Sequence, residues 1–509
     1  MSKRSHKLFC FVGFVALLLI YLAFPTRSYY YDGVFFARAI EEAPSLKGSL
    51  LHPNHLIYTP VGYLAYRVSQ MLGFNARALH VLQVLNSFVA VGAAYVLFRI
   101  LRESFHSRYL AWCLTLLFAL SATWWKFSID ADAYIISVLF LLVSFYLILP
   151  GKTPRPWLLV ATFSLAVVFH QLAVLFFFVI LLGLFWQTPA GLPTHKRMLR
   201  VLQFGLGSFL LIFSSYCLGF YFAAGTFEVS RFARWITSYS PDVSFSFDVL
   251  SNLRYTLRGH ARLFFGGRFN FIGELLETAW MVLVVVAVAL IAVLMIQLIR
   301  GRGLQSESSE KLRLDNFARL CVLWVVTFVL FLFFWLPHNT FYRLFYLPAI
   351  ILLAGWVLFR RLPAARGYRL ALFVAIMVLA NFLFSILPYS RVENNRPLAL
   401  ALALNEVWPA GTVIYYASEN SDNNLVRYFN RATEWRPLPD ISRLETELKT
   451  SQAQGKTNWL ETTAIDQILG QPDGETWLAT HVKAESRREL IDRAHRIRFL
   501  QITPTELLR

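Results

Sequence analysis

Two carboxylates spaced by one residue, Asp130 and Asp132, stand in a short polar break, Lys126-Phe-Ser-Ile-Asp130-Ala-Asp132-Ala, between apolar runs. Oxygen ligands at that spacing could hold a divalent cation or position a substrate, although an isolated Asp-x-Asp also arises by chance. Asp32, in Tyr29-Tyr30-Tyr31-Asp32-Gly33, follows the first apolar run closely. Partial desolvation there would tune its basicity for taking a proton from a hydroxyl; the plainer reading is a solvated loop aspartate. The three tyrosines read more simply as an interfacial aromatic belt than as a sugar platform. Histidines accompany these acids in Leu51-His52-Pro53-Asn54-His55, and in His170-Gln171, a polar pair inside apolar sequence. A polar helix end satisfied by its neighbours is the competing reading of His170.

Arginine supplies the opposite charge. Arg254, Arg258 and Arg262 recur every four residues, with Leu250, Leu253, Leu257 and Phe264 beside them. That is one face of a helix, and the mixture suits a helix lying in the membrane interface with its arginines on lipid phosphates. A lipid-linked sugar phosphate is, physically, such a headgroup. Arg343, in Leu336-Pro337-His338-Asn339-Thr340-Phe341-Tyr342-Arg343, enters a late apolar run. It would snorkel there or offer a forked donor to a phosphate.

The elements that must position these groups are membrane spans. Of 509 residues, 57% are hydrophobic and 15% charged, and the mean hydropathy is +0.52. Soluble domains carry roughly 25% charged residues, and a single soluble core stops growing near ~250–300 residues. The long apolar runs therefore need lipid. A net charge of +18 invites a nucleic-acid partner, but no zinc-finger spacing, RNA-binding signature or basic recognition helix is present. Much of the excess sits in short loops, where it orients spans. Cys10, Cys113, Cys217 and Cys321 all lie in apolar segments and form no disulfide framework or CxxC metal site.

Spans of about 20 residues are expected near 8–25, 79–99, 109–127, 133–149, 157–169, 172–187, 200–222, 278–298, 316–336, 341–359 and 369–388. The first reads as an uncleaved span with a cytoplasmic N-terminus, because no small-x-small cleavage site follows it. Residues 157–187 could be one helix or two, and loop charge decides. With a break at His170-Gln171, the basic loops around Arg102, Lys152, Lys196, Arg313 and Arg361 all fall on the cytoplasmic side. Without it, every basic loop after residue 187 flips outward, against the positive-inside rule. The outward regions are then 26–78, 223–277 and the tail, which carries 16 of the 30 acids. Asp32, Asp130 and Asp132 share that outer side.

The tail, 389–509, changes character. A turn entering a buried strand is expected over Pro409–Ala417, strands at Trp459–Thr463, Thr476–Val482 and Ile497–Thr503, and helices at Ile441–Gln452 and Ala484–His495. That alternation suggests a small α/β domain. It has no Gly-rich phosphate loop, so no nucleotide cofactor is assigned.

The combination resembles the GT-C superfamily of polytopic glycosyltransferases, including protein mannosyltransferases and the lipid A aminoarabinose transferases. Four features carry the likeness over residues 8–390: Tyr31-Asp32-Gly33 in a long first outer loop, His52-Pro53-Asn54-His55, the acids Asp130 and Asp132, and the Arg343 segment. The resemblance implies a mainly α polytopic bundle of about 11 spans over 1–388 with the α/β domain outside. It implies a polyprenyl-phosphate sugar donor and an inverting transfer to an acceptor outside the cytoplasm. Asp32 would be the general base or share in binding a divalent metal ion, and Asp130 or Asp132 the second carboxylate. Arg343, with Arg258 and Arg262, would meet the donor phosphate, and His55, His170, Gln171 and His338 would line the pocket. Gly33 stands where protein mannosyltransferases carry a second acid. The competing reading is a transporter or flippase of a lipid-linked or anionic substrate, which the broken helix favours and the odd span count and absent repeat oppose. No Asn-x-Ser/Thr sequon occurs, which favours a bacterial inner membrane over an endoplasmic reticulum.

Overall fold

The computed structural model describes residues 3–503 except 151, 154, 187–192, 238–244, 268–307, 362–366, 404–407, 409–410, 419–420, 431–432 and 492–495. The span expected at 278–298 lies outside the described residues, as do Arg268, Arg300 and Arg302. Helices stand at the other ten expected positions: Lys3–Ala23, Ala78–Phe105, Arg108–Ala119 with Ala122–Ser128, Tyr134–Leu147, Pro156–Phe169, Gln171–Phe176 running into Phe177–Trp186, Thr194–Ala224, Ser308–Trp335, Leu347–Arg361 and Tyr368–Asn381. Among the described residues, four helices are long and apolar enough to cross a membrane, Ala78–Phe105, Thr194–Ala224, Arg313–Trp335 and Tyr368–Tyr389. The pair Arg108–Ala119 and Ala122–Ser128, bent by 68°, makes a fifth if taken as one span. At 1.5 Å per residue Ala78–Phe105 reaches about 42 Å, beyond the ~30 Å hydrocarbon core, whereas a 14-residue helix such as Pro156–Phe169 reaches only about 21 Å. The protein is integral to a membrane.

The break at His170 is present. Helix Pro156–Phe169 ends with His170 in an extended conformation, φ −159° and ψ 121°. Its Nδ1 accepts from the Leu172 amide at 3.1 Å, which starts the tight turn Gln171–Phe176. The chain is interrupted here because the imidazole takes over an amide that a continuous helix would bond to a carbonyl.

Two compact units result, one of residues 1–26 and 39–388, the other of 27–38 and 389–509. Residues 27–38, expected within the first outer loop of the membrane region, thus cluster with the tail. The Arg27 amide donates to the Tyr389 carbonyl at 2.7 Å, the Asn395 side chain donates to the Arg27 carbonyl, and Tyr29 stacks on Phe429 at 5.7 Å. Tyr29, expected in an interfacial belt, is a packing contact of the second unit.

That unit is built on five strands, β1 (Thr412–Tyr416), β2 (Glu434–Pro437), β3 (Thr457–Glu461), β4 (Val482–Ile491) and β5 (Arg496–Ile502), in the order β2-β1-β3-β5-β4. β1 is parallel to β2 and β3, while β5 is antiparallel to β3 and β4. Helices cover both faces of β1: Val413 and Tyr415 pack with Leu444, Leu448 and Ile468, and Ile414 packs with Trp408 and Val426. A strand buried on both sides reads as the continuous apolar run seen there. Two expectations for this domain fail. Thr476–Val482 is helix Gly474–His481, whose buried residues Gly474, Leu478 and His481 follow i, i+4, i+7 spacing. Ala484–His495 is strand through Ile491, paired with β5 at the sheet edge. A charged edge strand has the same polar density as an outer helix face, and only its partner distinguishes them. β2 is four residues ending in Pro437, too short to register in the sequence pattern.

Candidate active site

The carboxylates come first. Asp130 and Asp132 lie between helix Ala122–Ser128 and helix Tyr134–Leu147, and both are fully buried. A carboxylate in that position must be held by donors. Asp130 Oδ1 accepts from the Ala131 amide at 2.8 Å, and Asp132 Oδ1 accepts from the Ala133 amide at 2.6 Å. Lys126 Nζ stands 3.6 Å from Asp130 Oδ2. The loop itself is clamped from the start of helix Ala78–Phe105. Asn86 Nδ2 donates to the Asp130 and Asp132 carbonyls at 2.8 and 2.7 Å. Gln83 Nε2 donates to the Thr26 and Ile129 carbonyls, each at 2.9 Å, and Ser87 Oγ donates to the Ser128 carbonyl at 3.0 Å. These three residues were missed by sequence reasoning. Their signal was present: Gln83, Asn86 and Ser87 fall at i, i+3, i+4, a polar stripe on an otherwise apolar helix.

Tyr134, two residues beyond Asp132, leads to the histidines. Its ring lies 5.0 Å from His170 and 6.1 Å from His55, and the two imidazoles meet at 4.6 Å. His170 is buried, and with Nδ1 accepting from Leu172 its neutral ring carries the proton on Nε2. That Nε2 has no hydrogen-bond partner among the described residues. His55 is held by Asn54, 3.2 Å from Nε2, in the short turn Pro53–His55. Burial and the neighbouring His52 push His55 down to about 3, and burial pushes His52 down to about 4. Both rings are therefore neutral near pH 7. Tyr58, buried in the next helix, is raised well above the ordinary phenol range, first by burial and then by Asp132. Gln171 is half-buried, one residue past the break. In the first unit Tyr134 thus stands between the Asp130–Asp132 loop, which it follows in the chain, and the His55–His170 pair at the helix break.

Arg343 sits in the turn Phe341–Phe345, whose Tyr342 and Phe345 rings pack on His170 at 5.6 and 4.8 Å. Its own guanidinium is buried and directed at the backbone, donating to the Pro337 carbonyl at 2.6 Å and to the Asn339 carbonyl. It lies directly against Gly259 of helix Val249–Phe264: a Cβ added there would stand 2.4 Å from its Cζ. That helix buries Asn252, Thr256, Gly259 and Leu263 and exposes Arg254, Arg258 and Arg262. Leu250, Leu253 and Leu257 are exposed on the same helix, as the interfacial reading requires. His338 is exposed, with its ring 6.4 Å from Tyr255.

Asp32 belongs to the second unit. It is half-buried in the first turn of helix Tyr31–Glu42, and burial raises it to about 6. A helix N-terminus favours the charged form, so desolvation wins here. Among the described residues no three His, Cys, Asp or Glu side chains are grouped to hold a metal ion.

No protein-family model matches the sequence, and no characterised protein matches it by sequence. Solved structures do match by shape. The chain is similar to ArnT from Cupriavidus metallidurans in the apo state, with a TM-score of 0.61 at 12% identity over 98% of each chain. It is also similar to the same protein bound to undecaprenyl phosphate, with a TM-score of 0.59 at 9% identity over 98% of each chain. The likeness covers 98% of each chain and establishes a fold shared with ArnT.

Proposed function

We propose that this membrane protein is a glycosyltransferase that moves a sugar from a polyprenyl-phosphate donor to an acceptor outside the cytoplasm. The observation that carries the reading is the full-length likeness to ArnT, which in one structure is bound to undecaprenyl phosphate. Two buried carboxylates in one loop and a buried histidine pair at a helix break, with Tyr134 between them, give that fold a place for chemistry. The same reading includes about eleven spans, a cytoplasmic N-terminus, an extracytoplasmic domain at 389–509 and a bacterial inner membrane.

In the reaction an acceptor hydroxyl attacks the anomeric carbon, the carbon–oxygen bond to phosphate breaks, and the phosphate leaves with the electron pair. A base must take the hydroxyl proton, and cations must stabilise the departing oxyanion. Asp32 takes the base role: an aspartate raised to about 6 is ionised at neutral pH yet more basic than a solvated one. Asp130 or Asp132 is the second carboxylate. Arg258 and Arg262, exposed on their helix, meet the phosphate. Arg343, donating to two carbonyls of its own segment and lying against Gly259, positions that helix. A divalent cation would draw oxygen from the Asp130–Asp132 loop, and chelator dialysis with Mg²⁺ or Mn²⁺ add-back tests it: loss and recovery of transfer support a cation, and unchanged rates remove it.

The decisive experiment incubates purified full-length protein with radiolabelled polyprenyl-phosphate sugars and candidate acceptors. Asp32→Asn and Asp132→Asn should each cut transfer by about 10²-fold or more while elution profiles stay unchanged. Wild-type rates in both variants would remove the assignment. Movement of the lipid-linked sugar across liposome membranes with its sugar bond intact would make the protein a transporter.

A further inference from the structure

A cavity lies in the first unit away from the Asp130–Asp132 loop. Helix Ala78–Phe105 carries Asn86 near its start and Arg99 near its end, about 20 Å apart at 1.5 Å per residue. Around Arg99 the helices Lys3–Ala23, Ala78–Phe105 and Arg108–Ala119, with Lys152 and Arg313, border an open cleft of 1750 Å³. Small-molecule pockets run to ~300–1,000 Å³, so the space suits something larger.

Its lining divides by chemistry. The wall is aromatic: Phe14, Phe98 and Trp112 meet at ring separations of 5.8, 5.0 and 4.9 Å. Gly13 permits that wall, since a Cβ there would come within 2.7 Å of Trp112. The rim is cationic, with Arg99, Arg102, Arg108, Lys152 and Arg313 set against one carboxylate, Glu103. Glu103 is already engaged, accepting from Arg99 at 2.8 Å, Lys152 at 2.9 Å and Tyr146 at 2.7 Å. Among the described residues, Arg313 donates to the Ser104 carbonyl and stands 3.2 Å from the His106 ring nitrogen. Among the described residues no carboxylate pairs with Arg102, Arg108 or Arg313. Surplus positive charge above an aromatic, lipid-sized wall is complementary to a phosphate headgroup carrying apolar chains.

We propose that this cavity binds one anionic phospholipid, its phosphate among Arg102, Lys152 and Arg313 and its chains against Phe14, Phe98 and Trp112. The site is separate from Asp130 and Asp132, and the inference does not depend on glycosyl transfer. It would tie the inner ends of three helices to the lipid surface that the basic loops face in the topology proposed above.

Native mass spectrometry of the purified full-length chain tests this with two probes, dioleoylphosphatidylglycerol and dioleoylphosphatidylcholine. The wild type should keep one phosphatidylglycerol per chain at least tenfold better than phosphatidylcholine. The triple variant Arg102→Gln, Lys152→Gln, Arg313→Gln should lose at least tenfold in retention, and Val91→Trp, which narrows the apolar wall without touching a charge, should weaken it as well. Millimolar inorganic phosphate should leave the lipid bound, because the chains carry part of the affinity. Equal retention of both lipids by the wild type overturns the proposal without recourse to any variant. Undiminished retention in a folded triple variant, or displacement by phosphate, overturns it too.

Discussion

Asp32 and His55 illustrate one physical effect with opposite outcomes. Removal from water disfavours whichever form is charged, so Asp32 rises to about 6 and His55 falls to about 3. For a base the useful form is the carboxylate, so kcat/KM should be level above pH 7 and fall about tenfold per unit below pH 6. A profile with no break between pH 5 and 7 would take the base role from Asp32. The histidine acts on stability. Its folded pKa lies below the unfolded 6.5, so the unfolded chain binds more protons as pH drops through that window. Stability is fully present above 6.5 and is lost on acidification, by about 2 kcal/mol for His55 at pH 5. Thermal melts at pH 7.5 and pH 5 should show His55→Asn to be less acid-sensitive than the wild type, and equal sensitivity would contradict the buried neutral ring. Asp130, Asp132 and both histidines were visible by residue type. Gln83, Asn86 and Ser87 were overlooked because a polar stripe on a span has no meaning until its partner loop is known.

Helix Val249–Phe264 shows what an element contributes. Its four-residue arginine spacing was legible, but the close approach of the Arg343 guanidinium to Gly259, where a Cβ would collide with it, was not. Gly259→Ala should destabilise the protein by about 1–3 kcal/mol, since overpacking beside a buried arginine forces one of the two to move. Adding Arg343→Lys should return part of that loss by removing the planar group; a double variant merely additive in melting temperature would argue against the contact. The break at His170 was legible for another reason. Loop charge constrained it from outside, and the imidazole cap on Leu172 is its local cause. In the tail, Thr476–Val482 and Ala484–His495 were exchanged between helix and strand, because segments of that length and polarity fit both periods.

At the scale of the whole molecule, the ten helices found at expected positions belong to a fold shared over full length with ArnT. Orientation is the property to check. In a background with the four native cysteines replaced, Arg108→Cys and Thr446→Cys, both at exposed positions, should respond oppositely to an impermeant thiol reagent. Added outside intact cells, it should label 446 and spare 108. Labelling of 108 alone would invert the topology.

Amino-acid order alone determined the membrane class and the placement of apolar helices, because both follow from local hydropathy without reference to distant residues. Tertiary structure decided which groups meet. It set Asn86 under Asp130 and Asp132, brought His55 to His170, turned Arg343 onto Gly259, and moved residues 27–38, with Asp32 among them, into the unit of the tail. Those contacts join residues far apart in the chain, where no periodicity reaches. Asp32 follows the first span in sequence, yet its unit is held by Tyr389, Asn395 and Phe429.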